Sequence, residues 1–311
     1  MSFVGRRLLQ LVPVAVGVTI VVFFMIHLIP GDPALTILGI HATPQSIALL
    51  RSEWGLNRPL IGQYWLFLER LAHGNLGQSL IYGVPARTLI LQALPKTLWL
   101  ITYAAVIAVL ISVPLSMIAA TKKDGVRDHV VRAVPLLGLG MPAFLIGYLL
   151  IIIFAINLGW FPVSGYGTDF TSHLYYMFLP ALTVAIALSP VVIRSLRAGM
   201  LTVLGADYIT TARSKGVPGR RLFVRHVLRN AVIPAITVLG INIGFLIGGT
   251  VIIENVFAIP GIGQLMINAI FERDFPVVQG VTLVFAILVV LVNLLADMTY
   301  AALDPRVSFD R

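Results

Sequence analysis

Charged side chains are missing from six long stretches of the chain: about Leu8 to Ile29, Leu98 to Ala120, Ala133 to Ile156, Tyr176 to Ile193, Ala231 to Ile253 and Val277 to Ala296. A helix that crosses the hydrocarbon core of a bilayer needs about 20 predominantly apolar residues. The pattern therefore predicts an all-α integral membrane protein with six transmembrane helices. The first stretch follows Arg6 and Arg7, as the apolar part of a signal peptide would. Its run is longer than the roughly 7 to 15 residues of such a segment, and it closes in His27-Leu28-Ile29-Pro30-Gly31-Asp32-Pro33 without a small-residue cleavage site. It reads as a retained first helix.

The polar positions between these stretches set the orientation. Sixteen of the 22 Lys and Arg precede span one, lie between spans two and three or four and five, or follow span six. Of the two short connections on the opposite side, one has no basic residue and the other has only Arg273. By the positive-inside rule both termini are cytoplasmic. The segment Gly31 to Lys96 carries five more basic residues, and segments of about that length translocate largely regardless of charge.

Composition agrees with a membrane location. Only 11% of the 311 residues are charged and 58% are hydrophobic, with a mean hydropathy of +0.95. Soluble domains average about 25% charged residues. The net charge of +9 would suggest nucleic acid in a soluble protein. Here the basic residues spread over four connections without a nucleic-acid-binding motif, so no nucleic-acid partner is expected and membrane lipid is. With no cysteine, disulfides, thiolate nucleophiles and cysteine-based metal sites are excluded.

Three segments carry more than hydropathy. Gly31 to Lys96 is amphipathic, with Trp54, Tyr64, Trp65 and Tyr82 among turn residues. It reads as short helices at the outer surface, either a solvated cap or a docking surface. On the other side, about Gly205 to Lys215 offers Asp207 as N-cap or first-turn acid, followed by a short helix through Tyr208. Gly216 takes the C′ position and Pro218 prevents continuation. This is either an ordinary positive loop or a docking helix. In the second reading Thr210, Thr211 and Ala212 let a protein groove approach, and Arg213 and Lys215 form a charged flank. In span five, Gly240, Gly244 and Gly248 recur every four residues and allow close helix packing, within the chain or across a dimer seam.

Catalytic signatures are missing. A Walker A loop needs Gly immediately before Lys, and the four lysines follow Pro95, Thr121, Lys122 and Ser214. The serine and aspartyl nucleophile motifs of intramembrane proteases are missing, and the histidines form no metal-binding helix pattern. The chain is not expected to be an enzyme by itself or to hold a metal.

Several motifs in order resemble the permease subunits of ATP-binding-cassette importers, in the dipeptide/oligopeptide/nickel class with the MetI-like type I fold. They are Arg6-Arg7-Leu8-Leu9, Leu28-Ile29-Pro30-Gly31-Asp32-Pro33, Tyr208 to Gly216, His226 to Pro234, Glu254 to Gly263, Arg273 to Gly280 and Leu303-Asp304-Pro305-Arg306. The resemblance implies that residues 1–97 form an N-terminal helix plus external segment. Residues 98–303 would be the permease domain, with a coupling segment at about 205–222, and 304–311 a cytoplasmic tail. It also implies that Asp207, Tyr208, Thr211, Ala212, Arg213, Lys215 and Gly216 meet an ATPase groove, although Thr210 stands where the broad coupling pattern has Glu. On this basis Ala212→Asp or Gly216→Pro should uncouple transport without harming folding.

The implied partners are a second homologous permease, one or two ATPase subunits that bind ATP and magnesium, and an external solute-binding protein. This chain itself would carry no cofactor. Di- or oligopeptides are the expected cargo, with nickel chelates, glutathione and haem-related solutes as alternatives. An ion-coupled secondary transporter using Glu254 or Asp297 is the rival from another class.

Overall fold

The computed structural model describes residues 3–27, 33–39, 42–121 and 123–303. Leu28 to Asp32, Lys122 and the tail from Asp304, with Arg306 and Arg311, lie outside the described residues, as do the side chains of Arg6 and Arg7. The described chain is almost wholly helical: α1 Phe3–His27, α2 Pro33–Leu38, α3 Pro44–Trp54, α4 Leu60–Ala72, α5 Ala86–Thr121, α6 Val126–Gly140 and α7 Ala143–Leu150, which continues as π-helix over Ile151–Asn157. Then come α8 Phe170–Tyr176, α9 Phe178–Leu204, α10 Asp207–Ser214, α11 Gly219–Leu222 leading through a π-helical turn into α12 Arg229–Val256, α13 Ile262–Phe271 and α14 Phe275–Leu303.

Among the described residues, four helical segments are long and apolar enough to cross a bilayer: Ala86–Thr121, Phe178–Leu204, Gly219–Val256 and Phe275–Thr299. The α6–α7 pair, bent by 101°, is a broken fifth span or a re-entrant loop, and the 25-residue α1 holds the apolar run Val12–Met25. This set is compatible with the six expected spans. It differs from them in the third, where an unbroken helix was expected from Ala133 to Ile156. The break falls at Met141-Pro142, where Met141 is extended (φ −103°, ψ 136°). Proline disfavours helical geometry in the residue before it and has no N–H to continue the ladder.

Helices also outrun their apolar stretches. α9 continues past Ile193 through Arg194 and Arg197 because Val192, Leu196 and Met200, spaced four apart, stay buried on one face. Between Arg194 and Arg229 only short turns interrupt helix.

The chain divides into two compact units. One comprises residues 1–97 and 260–290. Its core gathers Ala86, Ile90, Ala93, Ile262, Val277, Val278 and Val281. Buried polar side chains tie it over long sequence distances: Gln279 Nε2 donates to the Val22 carbonyl (2.8 Å), the Ile262 N–H to Thr97 Oγ1 (2.9 Å), and Ser79 Oγ to Asp274. The other unit comprises residues 98–259 and 291–311, and its core is centred on α9 and α12 with Leu188, Leu196, Met200, Ile209, Val227, Ala231 and Phe257.

Candidate functional site

The segment around α10 belongs wholly to the second unit. α9 closes at Gly205, whose N–H reaches the Leu201 carbonyl (3.2 Å), and only Gly205 and Ala206 separate α9 from α10. Asp207 is the first-turn acid, favourable to the helix dipole, while Ala206 is the N-cap and gives no side-chain bond. At the other end the Val217 N–H bonds the Ala212 carbonyl (3.2 Å) and the Gly216 N–H bonds the Arg213 carbonyl (2.9 Å). This paired pattern is a Schellman stop, and Gly216 supplies its left-handed residue at φ +74°.

The two faces of α10 differ. Ile209 is fully buried and Ala212, one turn on, packs against the same core. Asp207, Tyr208, Thr210, Thr211, Arg213, Ser214, Lys215 and Gly216 are exposed. Thr211 and Ser214 turn their hydroxyls onto the carbonyls of Asp207 and Thr210 (both 3.1 Å), leaving methyl and methylene surface outward. Asn230 Nδ2 donates to the Tyr208 hydroxyl (3.2 Å) and to the His226 carbonyl (2.8 Å), which ties α10 to the start of α12.

This placement changes what two substitutions mean. Ala212 faces the core, so Ala212→Asp would drive a carboxylate against apolar packing. Gly216→Pro would require φ near −65° where the backbone has +74°. Both would perturb the helix itself, and Thr211 is the better probe of its outer face.

Two features behind α10 were not singled out in the sequence. One is an ion pair: Arg197 donates from Nε to Asp128 Oδ1 and from Nη2 to Oδ2, each at 2.6 Å. Asp128 is completely covered, and it also accepts the Asp124 N–H (3.1 Å) and lies 3.7 Å from Arg132. A planar guanidinium meeting a carboxylate through two bonds fixes orientation as well as distance. The other is the approach of α9 and α12, where a Cβ on Gly199 would stand 3.0 Å from the Ala231 carbonyl oxygen. A side chain there would have to push the Ala231 backbone back by a few tenths of an ångström. Two acids, Asp124 and Asp128, among the basic residues of one connection were the available signal for the first. The second left none, since Gly199 has no periodic partner.

The glycine face of α12 divides. A methyl on Gly240 would overlap Ala296 of α14, Gly244 is buried, and a methyl on Gly248 would find nothing within 4 Å.

Residues 1–100 match the family described as binding-protein-dependent transport system membrane component, N-terminal, and residues 112–309 match binding-protein-dependent transport system inner membrane component. The chain belongs to this family. The permease is 38% identical over 309 residues to the glutathione transport system permease protein GsiC of Escherichia coli O6:H1, covering 99% of each chain. The protein of that name from Salmonella typhi is also 38% identical, over 99% of each chain. Among solved structures, an inward-facing MetNI methionine ABC transporter aligns with 70% of the permease and 97% of its own chain at a TM-score of 0.59 and 18% identity. An amino acid ABC transporter aligns with 70% and 94% at 0.52 and 17%. The fold is shared with these two. The permease is therefore a multi-pass inner-membrane subunit of an ABC importer, a family that works with ATPase and solute-binding partners.

Proposed function

We propose that this permease is one of two homologous subunits that together form the translocation path for glutathione, and that ATPase subunits drive it through α10. The observation that carries the solute assignment is the 38% identity to glutathione transport permeases along 99% of both chains. It favours the glutathione alternative over the broader expectation of di- and oligopeptides. In this reading both termini and the basic segment from Arg194 to Arg229 are cytoplasmic, in keeping with the positive-inside bias. One or two ATPase subunits hold ATP and magnesium, and an external protein delivers the solute.

The outer face of α10 suits this role. Tyr208, Thr211 and Lys215 form an exposed stripe, while Ile209 and Ala212 anchor the opposite face in the core. A groove that closes on the stripe moves a packed element. Reversing a 1:99 preference between inward- and outward-open states needs about 5.5 kcal/mol of differential binding, and this chain has no nucleotide loop to supply it. The test is reconstitution with the second permease, the ATPase and the binding protein in proteoliposomes. Glutathione should stimulate ATP hydrolysis, and Thr211→Trp should remove the stimulation while the subunits still co-purify. Stimulation by dipeptides and not by glutathione would overturn the solute assignment; normal stimulation in Thr211→Trp would overturn the coupling role.

A further inference from the structure

Beside the Asp128–Arg197 pair, a cleft of about 240 Å³ opens between α6 and α9. Its charged end is formed by Arg132, Arg194 and Arg197, and its apolar wall by Pro135, Leu136, Leu139 and Ile193. The three cations are not equivalent. Arg197 is spent on Asp128 through both of its bonds and its side chain is only 16% exposed. Arg132 touches the same carboxylate only at 3.7 Å and its side chain is 45% exposed, and Arg194 is exposed. Asp128 therefore meets two guanidinium groups, and Asp124 adds its charge against Arg197, so the three arginines outnumber the two carboxylates and the excess positive charge sits on Arg132 and Arg194. Leu136 and Leu139 extend the apolar wall, 53% and 47% exposed, one turn and two turns along α6 from Arg132.

We propose that this cleft binds an anionic phospholipid, its phosphate held by Arg132 and Arg194 and an acyl chain laid along Pro135, Leu136 and Leu139. A cationic mouth at the end of an apolar groove between spanning helices complements a molecule that is anionic at its head and apolar behind it. Basic pockets between membrane helices recognise anionic headgroups in this way, each arginine near the surface strengthening binding about fivefold. A water-soluble anion would use the arginines and leave the leucine wall idle. The occupant matters because Arg197 and Gly199 brace α9, which leads through two residues into α10, and a lipid wedged against α6 and α9 would hold that brace closed.

The test uses the complex with its ATPase subunits in detergent micelles, doped with phosphatidylglycerol, with phosphatidylcholine, or with inorganic phosphate alone. Native mass spectrometry should show phosphatidylglycerol retained in preference to phosphatidylcholine. Arg132→Gln with Arg194→Gln should reduce that preference about thirtyfold, and Arg132→Lys with Arg194→Lys should keep most of it. Equal retention of the two lipids by the unmodified complex would overturn the proposal, even if the glutamine variant failed to assemble. So would an undiminished preference in that variant, or thermal stabilisation by inorganic phosphate equal to that by phosphatidylglycerol.

Discussion

Removing Arg197 should hurt the fold more than removing its partner. Asp128 is fully covered, whereas 16% of the Arg197 side chain still reaches solvent. In Arg197→Met the carboxylate keeps only the Asp124 N–H at 3.1 Å and Arg132 at 3.7 Å. In Asp128→Asn the freed guanidinium swings toward water or headgroups. Breaking a deeply buried pair costs about 3–5 kcal/mol, and an exposed pair contributes about 0–1 kcal/mol. Asp128 falls between these limits, since its own partners cover it while little protein mass lies beyond them. The expected costs are about 2–3 kcal/mol for Arg197→Met and about 1–2 kcal/mol for Asp128→Asn. The double variant should cost less than the sum by about 1–2 kcal/mol, because removing both leaves no stranded charge. Loss of helicity on titrating mixed micelles with a denaturing detergent gives the four stabilities of the cycle. A coupling below about 0.5 kcal/mol, or equal costs for the two single variants, would refute the view that this pair clamps α6 to α9.

Gly216→Asn should be nearly neutral, since Asn tolerates the left-handed region, while Gly216→Ala should cost about 1 kcal/mol in unfolding midpoint and fray α10. Gly240→Val should destabilise the isolated permease by about 1–3 kcal/mol by forcing α12 off Ala296. Gly248→Val should stay within about 0.5 kcal/mol in the same assay, as nothing among the described residues lies within 4 Å of a Cβ there. At the start of α8, the Thr171 hydroxyl and then Ser172, whose backbone N–H reaches the carboxylate, hold the Asp169 carboxyl well below the usual carboxylate range. A depressed carboxylate contributes its stability above the unfolded value near 3.9 and loses it only as pH falls through the folded value. Protection of the Ser172 amide, which bonds the carboxylate (3.3 Å), should therefore hold from pH 7 to about 4 and disappear in Asp169→Ala; its loss already near pH 6 would contradict this.

The spans were legible because lipid leaves the backbone one spanning option in a chain like this, so hydropathy alone predicts helix over most of α5, α9, α12 and α14. The Gly216 stop was legible for a local reason, a glycine followed two residues later by proline. What escaped is what depends on three dimensions. The break in the third span falls at Pro142 and not at Pro135, which α6 carries inside its helix, a choice that hydropathy does not make. α9 overruns its apolar stretch because Leu196 and Met200 continue one buried face while Arg194 points away, a distinction that charge counting cannot make. The inward direction of Ala212 was likewise invisible, since four small or polar residues surround it and the register of a two-turn helix is set by Ile209 finding the core. Asp128 shares its loop with Asp124, Lys122, Lys123, Arg127 and Arg132, so nothing local marks it out, and its partner lies 69 residues away.

These hidden contacts converge on one stretch of α9. Ser116 of α5 donates to the Ile193 carbonyl (3.2 Å), Arg197 grips Asp128 of α6, and Gly199 lies against the Ala231 backbone of α12. Within seven residues α9 is thus fixed to three neighbours by three different means: a hydrogen bond, an ion pair and backbone packing. Two residues join the end of this braced helix to α10, and the Asn230–Tyr208 bond ties α10 to α12 as well. On its α9 side, a force applied to the outer face of α10 meets only Gly205 and Ala206 before it reaches a helix that is fixed to α12. By that short route it would reach the α9–α12 pair. For an element meant only to connect two spans, such bracing would be idle; for one that has to transmit work performed by another polypeptide, it is the property that matters.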